Sequence, residues 1–168
     1  MVFLSTLLAL LTFADSPAQG DVMATAHVSI TLHLNASPER ALPMFDPINE
    51  SRWSPDWHPS LLGDGRVAPG LVFTTADEAG RAVWLLDRYD PQAGEIRYVT
   101  VRPTTLTTID IAVASAGKNE SIATVEYTRT ALESCGDENV ASFARDFPAE
   151  GLHWQVAINA ALALQSER

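Results

Sequence analysis

Between Ala24 and Leu132 apolar residues recur at every second position in successive short runs, and between Glu150 and Gln165 they recur at helical spacing. Period two marks a strand with one buried face; spacings of three and four mark a helix with an apolar stripe. The first run sets Val28, Ile30, Leu32 and Leu34 against His27, Ser29, Thr31 and His33. Further strands are predicted over Gly70–Thr75, Ala82–Tyr89, Glu95–Arg102, Leu106–Ala114 and Ser121–Leu132. Short joints such as Asp90-Pro91-Gln92-Ala93-Gly94 and Ala116-Gly117-Lys118-Asn119 separate them. Strands joined this closely pair antiparallel.

Two short helices are expected after the first strand. Ser37 can cap the first and Pro38 suits its opening position, while Pro43 kinks or shortens it. A second short helix fits Asn49 to Trp53. The last segment carries Trp154, Ala157, Ile158, Ala161, Leu162 and Gln165 on one face, with Leu152 and Val156 flanking and Asp146 or Pro148 opening it. A meander this wide curls rather than staying flat. A long helix laid in its concave side closes the open face, and the interior between them is too large for side chains to fill. The expected fold class is α+β: a curved antiparallel β-sheet wrapped around a long C-terminal α-helix, with an internal cavity, in one domain over residues 23–168.

Charge and composition narrow the partners. Eleven basic residues face twenty-one acidic ones, for a net charge of −10, and Lys118 is the sole lysine. Such a chain repels phosphate backbones and anionic lipid surfaces, so nucleic acid is not expected as a partner. Cys135 is the single cysteine, and no Cys/His cluster has metal-ligand spacing. No phosphate loop or nucleophile–base–acid set appears, so no cofactor or metal is expected and no catalytic residue is assigned.

Val2 to Phe13 is a nearly continuous apolar run, too short to span a membrane and suited to the core of a secretory signal. Alternatively, Met23 opens the chain proper and residues 1–22 are an upstream extension. Both readings exclude residues 1–22 from the fold and predict no stable membrane insertion. A start at Met23 implies the cytoplasm; cleavage within residues 1–18 implies a periplasmic or secreted protein.

The order of elements, with four local stretches, resembles the helix-grip SRPBCC superfamily, which includes START and polyketide cyclase/dehydrase-like proteins. Ala36-Ser37-Pro38-Glu39-Arg40-Ala41-Leu42 is similar to its first-helix lead. Glu50-Ser51-Arg52-Trp53-Ser54-Pro55-Asp56-Trp57 is similar to a tryptophan loop of bacterial members. Trp84 to Pro91 resembles the mid-sheet strand and its turn, and Thr124 to Leu132 the closing strand. The resemblance spans residues 24–166 and implies a cavity for a hydrophobic ligand. It implies no single reaction, because function is not fixed by fold.

Trp53 and Trp57 flank a proline turn and either stack on a ligand at the pocket mouth or plug the end of the grip. Alternation pairs Trp84 with Arg88, Tyr98 with Arg102 and Tyr127 with Arg129 on common faces. An inward arginine would anchor a carboxylate or enolate; the resemblance turns the aromatic members inward. Trp154 and Ile158, one helical turn apart, complete the predicted ligand wall of Trp53, Trp57, Trp84, Arg88, Tyr98, Tyr127, Trp154 and Ile158. His58 reads as a loop residue, His153 as an exposed helix position, and Asp110 with Glu126 as the solvent face of neighbouring strands. The expected activity is binding or transport of a small hydrophobic ligand such as a lipid, polyketide or aromatic. The alternatives are a cyclase/dehydrase-type enzyme in which a His or Tyr moves a proton, and a protein-interaction module such as a chaperone-ATPase activator.

Overall fold

The structure, a computed structural model, describes residues 22–78 and 80–166. The expectations for residues 1–21 therefore lie outside the described residues. The strands are β1 (Thr25–Leu34), β2 (Ser60–Leu61), β3 (Val72–Asp77), β4 (Gly80–Asp90), β5 (Glu95–Val101), β6 (Thr105–Gly117) and β7 (Glu120–Ala131). The helices are α1 (Pro38–Ala41), α2 (Asp137–Asp146) and α3 (Glu150–Ser166). Four 3-10 turns cover Leu42–Phe45, Asn49–Arg52, Ser134–Gly136 and Phe147–Ala149.

The strands form one seven-stranded antiparallel sheet in the order β1-β7-β6-β5-β4-β3-β2. Strands β3 to β7 are successive hairpins, and β1 returns to pair with β7, as Ile30 opposite Val125 shows. The inward register runs Val125–Ile111–Ile96 across β7, β6 and β5, so one face of the sheet is a continuous apolar floor. These residues are buried together with Leu32, Leu34, Leu42, Met44, Phe45, Ile158 and Leu162 in a single core. Pro43 ends α1 as expected, because it supplies no N–H to continue the ladder; the chain tightens into the Leu42–Phe45 turn.

Helix α3 is held against β1 by side chains as well as by its apolar stripe. β1 is an edge strand, and its free backbone groups need partners. Gln155 Oε1 accepts the His33 N–H at 2.7 Å, and Asn159 Oδ1 accepts the Asn35 N–H at 2.8 Å. Asn159 Nδ2 donates in turn to the His33 carbonyl at 2.9 Å. Gly151 lets the first turn of α3 close on Ile30, where an added Cβ would sit 3.3 Å from the Ile30 Cβ.

The fold departs from the sequence expectations in three places. Residues 137–146 form α2, although the alternation pattern ends at Leu132 and the helical pattern points to a start at Asp146 or Pro148. The short strand β2 has no counterpart among the predicted strands, since two residues carry no period. In β4 a bulge between Leu86 and Arg88 reverses the alternation. Tyr89, not Arg88, then lies opposite buried Ile96 and packs on the core.

Candidate functional site

Beneath α3 the sheet and the Phe45–Trp57 segment line a partly open cavity of about 250 Å³. Its lining is Phe45, Glu50, Trp53, Ser54, Trp57, Phe73, Trp84, Tyr98, Ile109, Ile111, Tyr127 and Trp154. All four tryptophans of the chain are in that lining.

The segment that supplies Glu50, Trp53 and Trp57 is fixed by Asp46. One of its carboxylate oxygens accepts the backbone N–H of Ile48 at 2.9 Å and of Asn49 at 2.8 Å; the other accepts Asn49 Nδ2 at 2.7 Å. This side chain starts the Asn49–Arg52 turn, in which positions three apart eclipse. Glu50 and Trp53 are therefore presented on the same side. Tyr98 ties the sheet to the same segment by donating its hydroxyl to the Phe45 carbonyl at 3.0 Å.

The rings fall into two groups. On the sheet side, Phe73 and Trp84 stack with centroids 5.5 Å apart and planes 8° off parallel. Trp57 meets Trp84 edge-on at 5.3 Å, and Tyr98 meets both stacked rings edge-on. On the helix side, Trp154 contacts Trp53 at 5.3 Å and Phe147 at 5.6 Å. Tyr127 packs on Phe147 at 4.5 Å. Offset and edge-on geometries of this kind are the favourable ones for aromatic quadrupoles.

The indole N–H groups are largely committed elsewhere. Trp53 donates to the Met44 carbonyl at 2.6 Å, Trp57 to the Pro47 carbonyl at 2.9 Å, and Trp84 to Thr75 Oγ1 at 2.9 Å. What these rings offer a ligand is π surface and apolar contact.

Glu50 is the exception in this wall. It is the only carboxyl of the lining, which contains no lysine, arginine or histidine. Among the described residues no group donates a hydrogen bond to it. Desolvation by burial, with the neighbouring Asp46 charge adding to it, pushes its pKa up to about 8. Whole-residue accessibility leaves Glu50 only partly buried, which fits a carboxyl that faces a partly open cavity. The Glu50 charge also helps to raise the pKa of Tyr98 and of Tyr127, behind the larger effect of their own burial. One tyrosine from each ring group thus lies within electrostatic reach of Glu50.

Of the residues predicted from sequence, Trp53, Trp57, Trp84, Tyr98, Tyr127 and Trp154 line the cavity. Arg88 does not. The β4 bulge turns it to the outer face, where it pairs with Glu95 at 2.7 Å. Ile158 does not either; it is fully buried in the core under α3. The other arginines considered are also engaged outside the lining. Arg102 holds Asp77 at 2.5 Å, and Arg129 lies 3.7 Å over the Phe143 ring. The expected inward arginine anchor is therefore absent from the lining. Every histidine of the chain is exposed, so the proton-moving His of the enzyme alternative has no place in the cavity. Asp110 and Glu126 are register partners on the outer face, and Asp110 pairs with Arg97 at 2.5 Å. Cys135 is exposed. Among the described residues no group of three or more metal-ligating side chains gathers, and no helix is long and apolar enough to cross a membrane.

Sequence reasoning alone does not find Glu50, Phe45, Phe73, Ile109 and Ile111. The one available signal for Glu50 is its spacing of three before Trp53 within a single helical turn.

A sheet gripping a long C-terminal helix over an aromatic cavity is the helix-grip fold, and that is the fold of this chain. No protein-family model matches the sequence, and no curated protein is significantly similar to it. The resemblance to solved structures is in the fold. Norcoclaurine synthase from Thalictrum flavum superposes with a TM-score of 0.64 at 12% identity, covering 98% of this chain and 99% of that one. A START superfamily protein from Mycobacterium smegmatis gives 0.62 at 16% identity, over 83% and 98%. Ara h 8.0201 gives 0.60 at 13% identity, over 84% and 99%.

Proposed function

We propose that this protein binds a small, largely apolar molecule, preferentially an aromatic one, in the cavity beneath α3. The observation that carries this reading is a partly open cavity of about 250 Å³ walled by four tryptophans, two tyrosines and two phenylalanines. Ligand pockets for drug-sized molecules run from roughly 300 to 1,000 Å³. A cavity just below that range suits one or two rings better than a long acyl chain. Norcoclaurine synthase, one of the structurally similar proteins, has been solved with dopamine and hydroxybenzaldehyde, which are ligands of this size. Burying about 200 Å² of ligand surface contributes on the order of 5 kcal/mol before ordering costs. Undiminished, that would correspond to a Kd of roughly 0.2 mM; ordering costs weaken it and specific polar contacts strengthen it.

The tryptophans are a built-in reporter, since all of them face the site. Titration with single-ring and two-ring aromatics should give saturable changes in tryptophan emission, and native mass spectrometry should detect any co-purified molecule. A panel that leaves emission unchanged, from a protein that carries no extractable ligand, would defeat the proposal.

One observation favours a second reading, an acid–base enzyme of the cyclase/dehydrase type. Catalytic acids work best with a pKa near the operating pH, and that of Glu50 is about 8. In this reading Glu50, rather than a histidine, moves the proton. Turnover of a candidate carbonyl substrate that is lost in Glu50→Gln while ligand binding persists would support it.

A further inference from the structure

We propose that the cavity is built for an amine: an aromatic or apolar ligand whose ammonium group seats against Glu50 and on the surrounding indole faces. The inference rests on the binding reading above and specifies the chemistry of the ligand.

The lining holds a carboxyl without a counter-charge. A carboxyl in an apolar site is costly unless something pairs with it. Here the protein supplies no partner: no cationic residue is in the lining, and no described group donates to the Glu50 carboxyl. Asp46, by contrast, spends both its oxygens on the turn that carries Glu50. The protein has thus placed one charge-capable acceptor in the cavity and left its partner to come from outside.

The rings point the same way. Trp53, Trp57 and Trp84 have their N–H edges bonded to protein oxygens, which leaves their faces for contact. Tryptophan faces are the strongest of the aromatic cation binders, especially when water is excluded. A carboxylate within an aromatic wall favours a cation twice over. Where Glu50 is ionised, above about pH 8, an anionic ligand would meet like charge and a neutral hydrocarbon would leave the carboxylate unpaired.

The site also implies a proton linkage. In the free protein Glu50 holds its proton up to a pKa of about 8. A bound cation stabilises the carboxylate, so binding below that pH expels the proton. The titratable groups facing Glu50 are Asp46 from its own segment and Tyr98 and Tyr127 from the sheet; α3 presents the non-titrating Trp154. Both tyrosines are shifted upward and stay neutral through this range. Affinity for a permanent cation should therefore rise about tenfold per pH unit below pH 7 and level off above pH 9.

The test uses phenyltrimethylammonium and its neutral isostere tert-butylbenzene, titrated into the full chain from pH 6 to pH 9 and read by tryptophan emission. The expected result is a cation preference of about tenfold or more at pH 9 that shrinks steeply toward pH 6, with the neutral isostere nearly indifferent to pH. Glu50→Gln should abolish the pH dependence and the preference while retaining the neutral ligand. Equal, pH-independent binding of both ligands by the wild-type chain would overturn the amine assignment and leave the cavity reading standing. Binding of neither would overturn both. Because the pH series uses the unaltered chain, its outcome is independent of how well the variant folds.

Discussion

Placing an unpartnered carboxyl in the cavity has a cost in stability that can be measured without any ligand. In an unfolded chain Glu50 releases its proton near the ordinary value of 4.5; in the folded chain it holds the proton to about 8. Between those values the unfolded state binds fewer protons than the folded one, so stability falls as pH rises. Below about pH 4.5 the residue contributes no penalty, and above pH 8 the penalty is complete. At about 1.4 kcal/mol per pH unit the ceiling is roughly 5 kcal/mol, and about 3 kcal/mol is already expressed at pH 7. Relaxation of the site and water entering the cavity reduce this, so a penalty on the order of 2–3 kcal/mol is expected in practice. Glu50→Gln keeps the shape and removes the titration. Denaturant unfolding of both proteins at pH 5 and pH 8.5 isolates the effect, because every other titrating group cancels in the difference. The variant should gain on the wild type by on the order of 2–3 kcal/mol across that interval, or several degrees in Tm. A wild-type-minus-variant difference that stays constant within about 0.5 kcal/mol would refute the placement of Glu50 in a desolvated cavity.

The remaining predictions concern the frame. Gly94 has φ 73°, and an added Cβ would run into the Val113 carbonyl; Gly94→Ala should cost on the order of 2 kcal/mol or more in denaturant unfolding. Arg88→Ala removes an exposed pair with Glu95 and should change stability by less than about 1 kcal/mol, with ligand-induced tryptophan emission unaltered. Asn159→Ala deletes both hydrogen bonds that Asn159 makes at the end of β1 and leaves the one from Gln155. About 1–2 kcal/mol of stability should be lost, and the Asn35 amide should exchange faster in hydrogen-exchange measurements.

The fold is largely legible in the sequence because the strand period is clean and the last segment is a long, unbroken, largely apolar helix. Val28 to Leu34, Ile96 to Thr100 and Ile109 to Val113 alternate without interruption, and the face containing Ile158 and Leu162 recurs at helical spacing. Legibility fails where a local event breaks the period. The extra residue at the β4 bulge reverses the direction of Arg88 without leaving a mark in the hydrophobicity pattern. Helix α2 is hidden for a different reason. Val140, Phe143 and Ala144 do recur at helical spacing, but Asp137, Glu138, Asn139 and Arg145 make the segment polar on average, so it reads as a loop.

The site divides along the same line. Its walls can be read because large aromatics on an inward face have few other uses, and Trp53, Trp57, Trp84, Tyr98, Tyr127 and Trp154 all reach the cavity from positions the sequence marks. Its polar centre cannot, since Glu50 looks like any surface glutamate next to Ser51 and Arg52. What makes it unusual is three-dimensional. Asp46 winds the Asn49–Arg52 turn so that Glu50 follows Trp53 inward; the sheet supplies aromatic neighbours, and none of them carries a positive charge. An apolar stripe announces itself by repetition, whereas a single misplaced charge is defined by the partners it lacks, and those are visible only after the chain has folded. Natural sequences break their own burial rules chiefly at functional sites. A lone carboxyl amid eight rings is such a break, and it makes the charge of the ligand, rather than its length, the first property to vary in a binding screen.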